Sequence, residues 1–322
     1  MKLKRLFIKL ISSLILVAII SVINFGMFHL SPGDATNRYF APNTSKQQLA
    51  QMRNQLGLNK PLPIQFGIWC KKLIHGDLGY SWSQRRPVAD VLTSAIPATL
   101  LLTVTALFIN FLVGVGLGMV SGIHWESQWG KWIDTIALFV YSIPVFGLGL
   151  LSILLFSISL GWLPSGRMIA LQTAGMSDWE KLIDGIRHLI LPAAVLGLST
   201  AAGTARYVRG NVQHIIQQNY VRAAYAKGLP VNHIYVRHIL RNAMLPVITL
   251  LGLHLPYLLS GAFIIEVVFA WPGMGRITYD AVFAKDFPVV MAINLIAAIL
   301  VISGNFLADL LCKWIDPRVE IT

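Results

Sequence analysis

The sequence predicts an all-α membrane protein: six transmembrane helices, a small helical outer cap and a cytoplasmic elbow. Three observations predict it. The first is composition. Of the 322 residues, 55% are hydrophobic and 12% charged, where a soluble domain carries about 25% charge. The second is a set of apolar runs close to the ~20 residues that a helix needs to cross hydrocarbon. The third is a basic, acid-free stretch, "YVRAAYAKGLPVNHIYVRHILRNAMLPV" at 220–247, lodged between two such runs.

The runs lie at 8–30, 97–121, 134–160, 188–205, 244–270 and 288–312. The first follows a basic head and resembles a secretory signal. Its apolar stretch is long, however, and no small-x-small cleavage site follows closely, so it reads as a retained helix. Span two contains Gly114, Gly118 and Gly122, four apart and therefore on one face, a pattern that permits close helix contact. The same "GVGLGM" is no nucleotide turn, because it lies within a span with no strand before it. The fourth span, "LILPAAVLGLSTAAGTAR", is the shortest and is rich in small residues, as suits a helix inside a bundle. Pro144, Pro192 and Pro256 fall in or near spans, where proline kinks a helix. Asn24, Asn110, Asn294 and Asn305 read as interhelical hydrogen-bonding groups.

Three parts follow: 1–30 with the first helix, an external cap at 31–96, and a five-helix core at 97–322. The cap is too long for a mere connection. "TSKQQLAQMRNQLGL" reads as a helix, with Thr44 or Ser45 as N-cap and Gly57 as terminator. "PLPIQFGIWCKKLI" reads as a second helix, "HGDLGYSWSQRRP" as a turn-rich loop and "VADVLTSAI" as a third helix before Pro97.

Orientation follows from loop charge. The net charge of +12 suits basic cytoplasmic loops better than nucleic acid, for which no base-stacking aromatic pattern is present. Inner segments hold Lys2, Lys4, Arg5, Lys9, Lys131, six basic residues from Arg206 to Arg241, Lys313 and Arg318. Short outer loops hold Arg167, Lys181, Arg187, Arg276 and Lys285. The segment 31–96 adds eight more outside, but long loops weigh little in this rule. Both termini are therefore expected in the cytoplasm. Cys70 and Cys312 then lie on opposite sides of the membrane and are not expected to pair.

The loop 206–243 cannot lie in lipid. Its six charges would cost about 3 kcal/mol each at the bilayer centre, on the order of 18 in sum. "RGNVQHIIQQNYVRAAYAK" reads as a helix closed by Gly228 as a C′ glycine. Leu229 and Pro230 make the turn, and Pro230 suits the first position of the helix "VNHIYVRHILRNAML". Here His233 and His238, five apart, are expected on different sides.

This elbow resembles the Glu-Ala-Ala loop of ABC importer permeases. Arg222-Ala223-Ala224 is followed by three residues and Gly228, and nine residues later by His238-Ile239-Leu240-Arg241. Arg222 stands where that family has Glu, and Arg241 where it has Pro. The stretches "LSPGDA", "GDLGYSWSQRRPV", "YSIPVF", "LGWLPSGR", "FAWPGMGR" and "KDFPVV" are, in that order, similar to the branch that carries dipeptides, oligopeptides and nickel. The resemblance implies a type I importer permease without catalysis of its own. It implies a second homologous permease, two ATPase subunits that bind the ATP and magnesium, an external solute-binding protein and residence in the cytoplasmic membrane. It implies that Arg222, Ala223, Ala224, Gly228, Leu229, Pro230, His238 and Leu240 dock on an ATPase. Peptide is the leading cargo, with nickel or a metallophore chelate as the rival.

Other residues invite a role. Glu266, late in span five, is a pathway group or an acid capping a neighbouring segment. His254, nearer mid-span, lines the pathway or bonds within the bundle. "WPGMGR", with Trp271, Pro272, Gly273, Gly275 and Arg276, is a lip for the binding protein or a plain hairpin connection, with Trp271 suited to an interfacial belt. No zinc signature, P-loop, paired carboxylates or nucleophile elbow appears, so neither a catalytic residue nor a metal ligand is expected. An ion-coupled carrier would call for paired intramembrane acids and bases, and a membrane scaffold would use the elbow without moving solute.

Overall fold

The computed structural model describes residues 2–30, 59–170, 175–244, 247 and 262–315. The expected first cap helix and most of the expected fifth span, His254 included, lie outside the described residues.

Helix α1 covers Lys2–Leu30 and contains the apolar stretch Ile11–Gly26. Helix α2, Leu62–Ile74, has proline in its first turn, where no intrahelical partner is lost. The turn-rich loop is a hairpin: β1 (Tyr80–Ser81) pairs antiparallel with β2 (Arg86–Pro87). Helix α3 then runs for 36 residues, Val88–Ile123, straight through Pro97. The expected third cap helix and second span are thus one element. Leu92, Ala95, Ala98 and Leu102 are all 3% exposed or less on either side of the proline. That burial outweighs the single ladder bond the ring removes.

The third span departs in the other direction. Helix α4 (Gln128–Ser142) begins at Ser127, whose side chain accepts from Gly130 N–H. Helix α5 (Val145–Ser152) continues as a π-helical turn, Ile153–Ser159. The two halves bend by 98°. Ile143, at φ −82° and ψ 128°, is extended, as the residue before a proline tends to be. Pro144 therefore breaks this span where Pro97 leaves α3 whole.

Helix α6, Asp178–Ile216, is 39 residues long and opens with a reciprocal capping box between Ser177 and Glu180. Helices α7 (Asn219–Ala226) and α8 (Val231–His233) form the elbow. Residues 262–268 are helical, followed by α9 (Met274–Ala284) and α10 (Phe287–Ile315). Stretches of α3, α6 and α10 are each long and apolar enough to cross a membrane, and α4 with α5 adds a fourth if the bent pair is one span.

Compact packing groups the chain into two units, Met1–Pro97 with Ile277–Ile302 and Ala98–Arg276 with Ser303–Thr322. In the first, Asn294 Nδ2 donates to Asn24 Oδ1 at 2.9 Å, joining α1 to α10. The hairpin is anchored on Asp286, a fully buried acid between α9 and α10. Its Oδ2 accepts from Ser81 Oγ (2.6 Å), Ser83 Oγ (2.7 Å) and Ser83 N–H (2.9 Å).

In the second unit the spaced glycines of α3 meet α6. A Cβ on Gly118 would lie 2.6 Å from Ala205 O and from Val208 Cβ; on Gly114, 2.8 Å from Thr204 Cβ; on Gly122, 2.8 Å from Val212 Cβ. Gly197 of α6 answers, with Ala106 O 2.8 Å from its Cβ position. Asn110 Oδ1 accepts from Thr204 Oγ1 at 2.9 Å beside this seam. In lipid such contacts gain from dispersion and interhelical hydrogen bonds, not from removal of water. Leu102, Ala106, Leu196, Ile265, Phe269 and Trp271 continue the same core.

Candidate functional site

The elbow is built by one residue's backbone. Gly228 holds φ +71°, a left-handed conformation that costs an L-residue with a Cβ about 1–2 kcal/mol. Its N–H donates to Tyr225 O at 2.9 Å, and Leu229 N–H donates to Ala224 O at 3.3 Å. This paired closure is a Schellman motif. Pro230, at φ −58° and ψ 136°, is the N-cap of α8. It stands one place before the helical position expected for it, because its extended ψ turns the chain into the helix.

Helix α8 runs on as a π-helical turn, Ile234–Leu240, and this corrects the placing of the two histidines. The wider turn carries position i+5 back beside position i. The rings of His233 and His238 accordingly meet edge to face, with centroids 6.0 Å apart.

The two alanines of the elbow face opposite ways. Ala224 is 5% exposed, in a core with Val208, Val212 and Ile215 of α6 and with Val221, Ile234 and Ile239 of the elbow. Ala223 faces outward with Arg222, Lys227, Gly228, Leu229 and Pro230. His238 and Leu240 are half-buried and Arg241 exposed. Partial burial raises the Tyr225 phenol above its ordinary range, and Tyr235 beside it pushes the same way. Farther along α6, Arg209 forms an ion pair with Asp134 of α4. The outward face of the elbow is thus basic and small-sided, and its inner face is seated on the end of α6.

The loop 271–276 is organised around Glu266. That carboxylate is fully buried. Thr99 Oγ1 donates to its Oε1 at 2.7 Å. Gly275 N–H and Arg276 N–H donate to its Oε2 at 2.6 and 3.2 Å. Met274 N–H donates to Thr99 Oγ1 at 2.8 Å. Trp271 is fully buried too, and its Nε1 donates to Ala98 O at 2.8 Å. It therefore packs in the protein core. Pro272 is the exposed residue of the turn, Gly273 is buried, and Gly275 and Arg276 are half-buried. Among the described residues no group of three or more His, Cys, Asp or Glu is placed to hold a metal ion.

Sequence reasoning missed Asp286 as the anchor of the hairpin. Ser81 and Ser83 lie more than 200 positions away, and nothing local marks the partnership.

The comparisons accord with this architecture. Residues 114–321 match the family described as binding-protein-dependent transport system inner membrane component, and residues 2–103 match its N-terminal region. The oligopeptide transport system permease protein AppB of Bacillus subtilis (strain 168) is 35% identical over 302 residues, 94% of either chain. The glutathione transport system permease protein GsiC of Escherichia coli (strain K12) is 37% identical over 303 residues, again 94% of either chain. In fold, the chain resembles a solved structure of the inward-facing MetNI methionine ABC transporter, with a TM-score of 0.57 and 18% identity. That match covers 70% of this chain and 96% of the other. The chain belongs to the binding-protein-dependent transport system inner membrane components, a family of multi-pass permease subunits of the cytoplasmic membrane.

Proposed function

We propose that this chain moves peptides inward by alternating access, as one permease of an ATP-driven importer. A second homologous permease completes the pathway, two ATPase subunits bind nucleotide and magnesium beneath it, and an external binding protein delivers cargo. Both termini lie in the cytoplasm in this reading. It assigns no catalysis to this chain. The observation that carries it is the elbow: a Schellman turn at Gly228, small and basic outside, seated inside on α6. A plain positive-inside loop needs the charge but not that geometry. The names of the relatives support peptide as cargo, and glutathione, itself a tripeptide, falls within the same class.

Two experiments test this. Calorimetric titration of the cognate binding protein should give heat with peptides and none with nickel chelates; heat with nickel chelates alone would overturn the cargo. The full complex in proteoliposomes should import the bound peptide only with ATP inside, and uptake indifferent to ATP would overturn the coupling. The elbow makes a further prediction. Ala224→Leu overpacks a buried site and should destabilise the complex by about 1–3 kcal/mol, read as a lower melting temperature. Ala223→Leu should leave the melting temperature unchanged and reduce uptake, because its side chain meets the partner and not the core.

A further inference from the structure

We propose that Glu266 is a positioning residue for transport: its carboxylate locks the outer loop 271–276 onto α3. This rests on the transport reading above.

The first N–H groups of a helix have no partner within it. In α9 the acceptors come from Thr99, 175 positions from Met274, and from Glu266, 9 and 10 positions before Gly275 and Arg276. Met274 N–H goes to Thr99 Oγ1, and Gly275 and Arg276 N–H go to Glu266 Oε2. Thr99 in turn donates to Glu266 Oε1, so the hydroxyl and the carboxylate form one cap. A carboxylate is also the favoured charge at a helix N-terminus. Two more bonds tie the loop down: Trp271 N–H to Glu266 O at 2.8 Å and Trp271 Nε1 to Ala98 O. The glycines of the loop are demanded by this closeness. A Cβ on Gly273 would collide with the Glu266 carboxylate, and one on Gly275 would lie 2.5 Å from Phe263 Cα. Both carboxylate oxygens are engaged and the residue is wholly buried, so no face of it is open to cargo.

The place of the clamp in the chain gives it a role. Ala98 opens the second compact unit, and Arg276 is where the chain leaves it. Thr99 and Glu266 therefore bolt together the entering and departing segments of that unit. Within that unit the start of this stretch of α3 and the first turn of α9 are thus held by one carboxylate, and Glu266 keeps the two segments in step.

The test separates geometry from charge. Glutamine can keep the clamp: its oxygen accepts from Gly275 and Arg276, and its amide donates to Thr99 Oγ1. In the complete complex, Glu266→Gln should import within about threefold of wild type, while Glu266→Ala should fall at least about tenfold, since buried N–H groups lose their acceptor. Uptake per ATP hydrolysed should fall with it. Thr99→Val, which removes one hydroxyl, and Gly273→Ala should follow Glu266→Ala, and Thr99→Ser should follow wild type; these carry the test where Glu266→Ala does not assemble. Trypsin applied from outside reads the loop directly: cleavage after Arg276 should be slow in wild type and Glu266→Gln and fast in Glu266→Ala. Loss of uptake in Glu266→Gln equal to that in Glu266→Ala would make the charge the requirement and overturn the proposal. So would wild-type uptake or wild-type cleavage in Glu266→Ala. The cargo probes are tri-alanine and glutathione. A wild-type complex that imports neither counts against the transport reading, while the trypsin comparison still decides the clamp.

Discussion

Gly228→Val should stop ATP-driven uptake, and Gly228→Asn should largely preserve it. The reason lies in the backbone and not in the space around it. Nothing lies within 4 Å of a Cβ built on Gly228, yet its φ is +71°. A β-branched residue resists that conformation by more than the ~1–2 kcal/mol that any Cβ costs. Asparagine enters it more readily and is found at the same helix-closing position. In the valine variant the Schellman bonds from Gly228 and Leu229 should loosen, and with them the angle between α7 and α8. Membrane insertion is set by the apolar spans and should not change. Uptake should drop at least about tenfold, the equivalent of ~1.4 kcal/mol. Full uptake by the valine variant would refute the assignment of this elbow to coupling. Equal loss in both variants would refute the backbone explanation and point to a partner surface filling the open space.

Gly118→Leu should damage the bundle itself. Its first added carbon would sit 2.6 Å from the carbonyl oxygen of Ala205 and from Val208 Cβ. A backbone oxygen cannot swing aside, so α3 and α6 must separate or the substitution must fail. Overpacking costs about 1–3 kcal/mol in a soluble core, and here it also opens the seam that seats Asn110 and Thr204. The purified complex should melt on the order of 2–4 °C lower. Gly116→Leu is the control. Two residues away, it points to open space and should melt with the wild type. Equal melting of both variants would show that the glycine face does not hold these helices together.

What could be read from the sequence was local or strictly periodic. Gly114, Gly118 and Gly122 declared their shared face by spacing alone, and Gly228 declared a helix end by being glycine after a good helix. Prolines were less legible. Pro97 and Pro144 both lie in apolar helical surroundings, but one is carried inside α3 and the other marks a 98° break. The difference comes from what packs alongside, which the neighbouring letters do not state. The π-helical turn at Ile234–Leu240 was equally hidden, and it reversed the relation of His233 to His238. Glu266 was visible as an unusual acid. Its partner Thr99 lies 167 positions away, so sequence left it between a pathway role and a cap, and only the folded arrangement brought its donors together.

Helix α6 has one more consequence. Its 39 residues make a rod of about 58 Å at 1.5 Å per residue, roughly twice the ~30 Å of a hydrocarbon core. The Ser177 capping box closes one end and the elbow is seated on the other. Gly114, Gly118 and Gly122 pack on its 201–212 stretch, and Val208 and Val212 there also seat the elbow, so α3 and the elbow share one stretch of the rod. Pro192 stands inside that rod and supplies no N–H to its ladder, so that turn resists bending least.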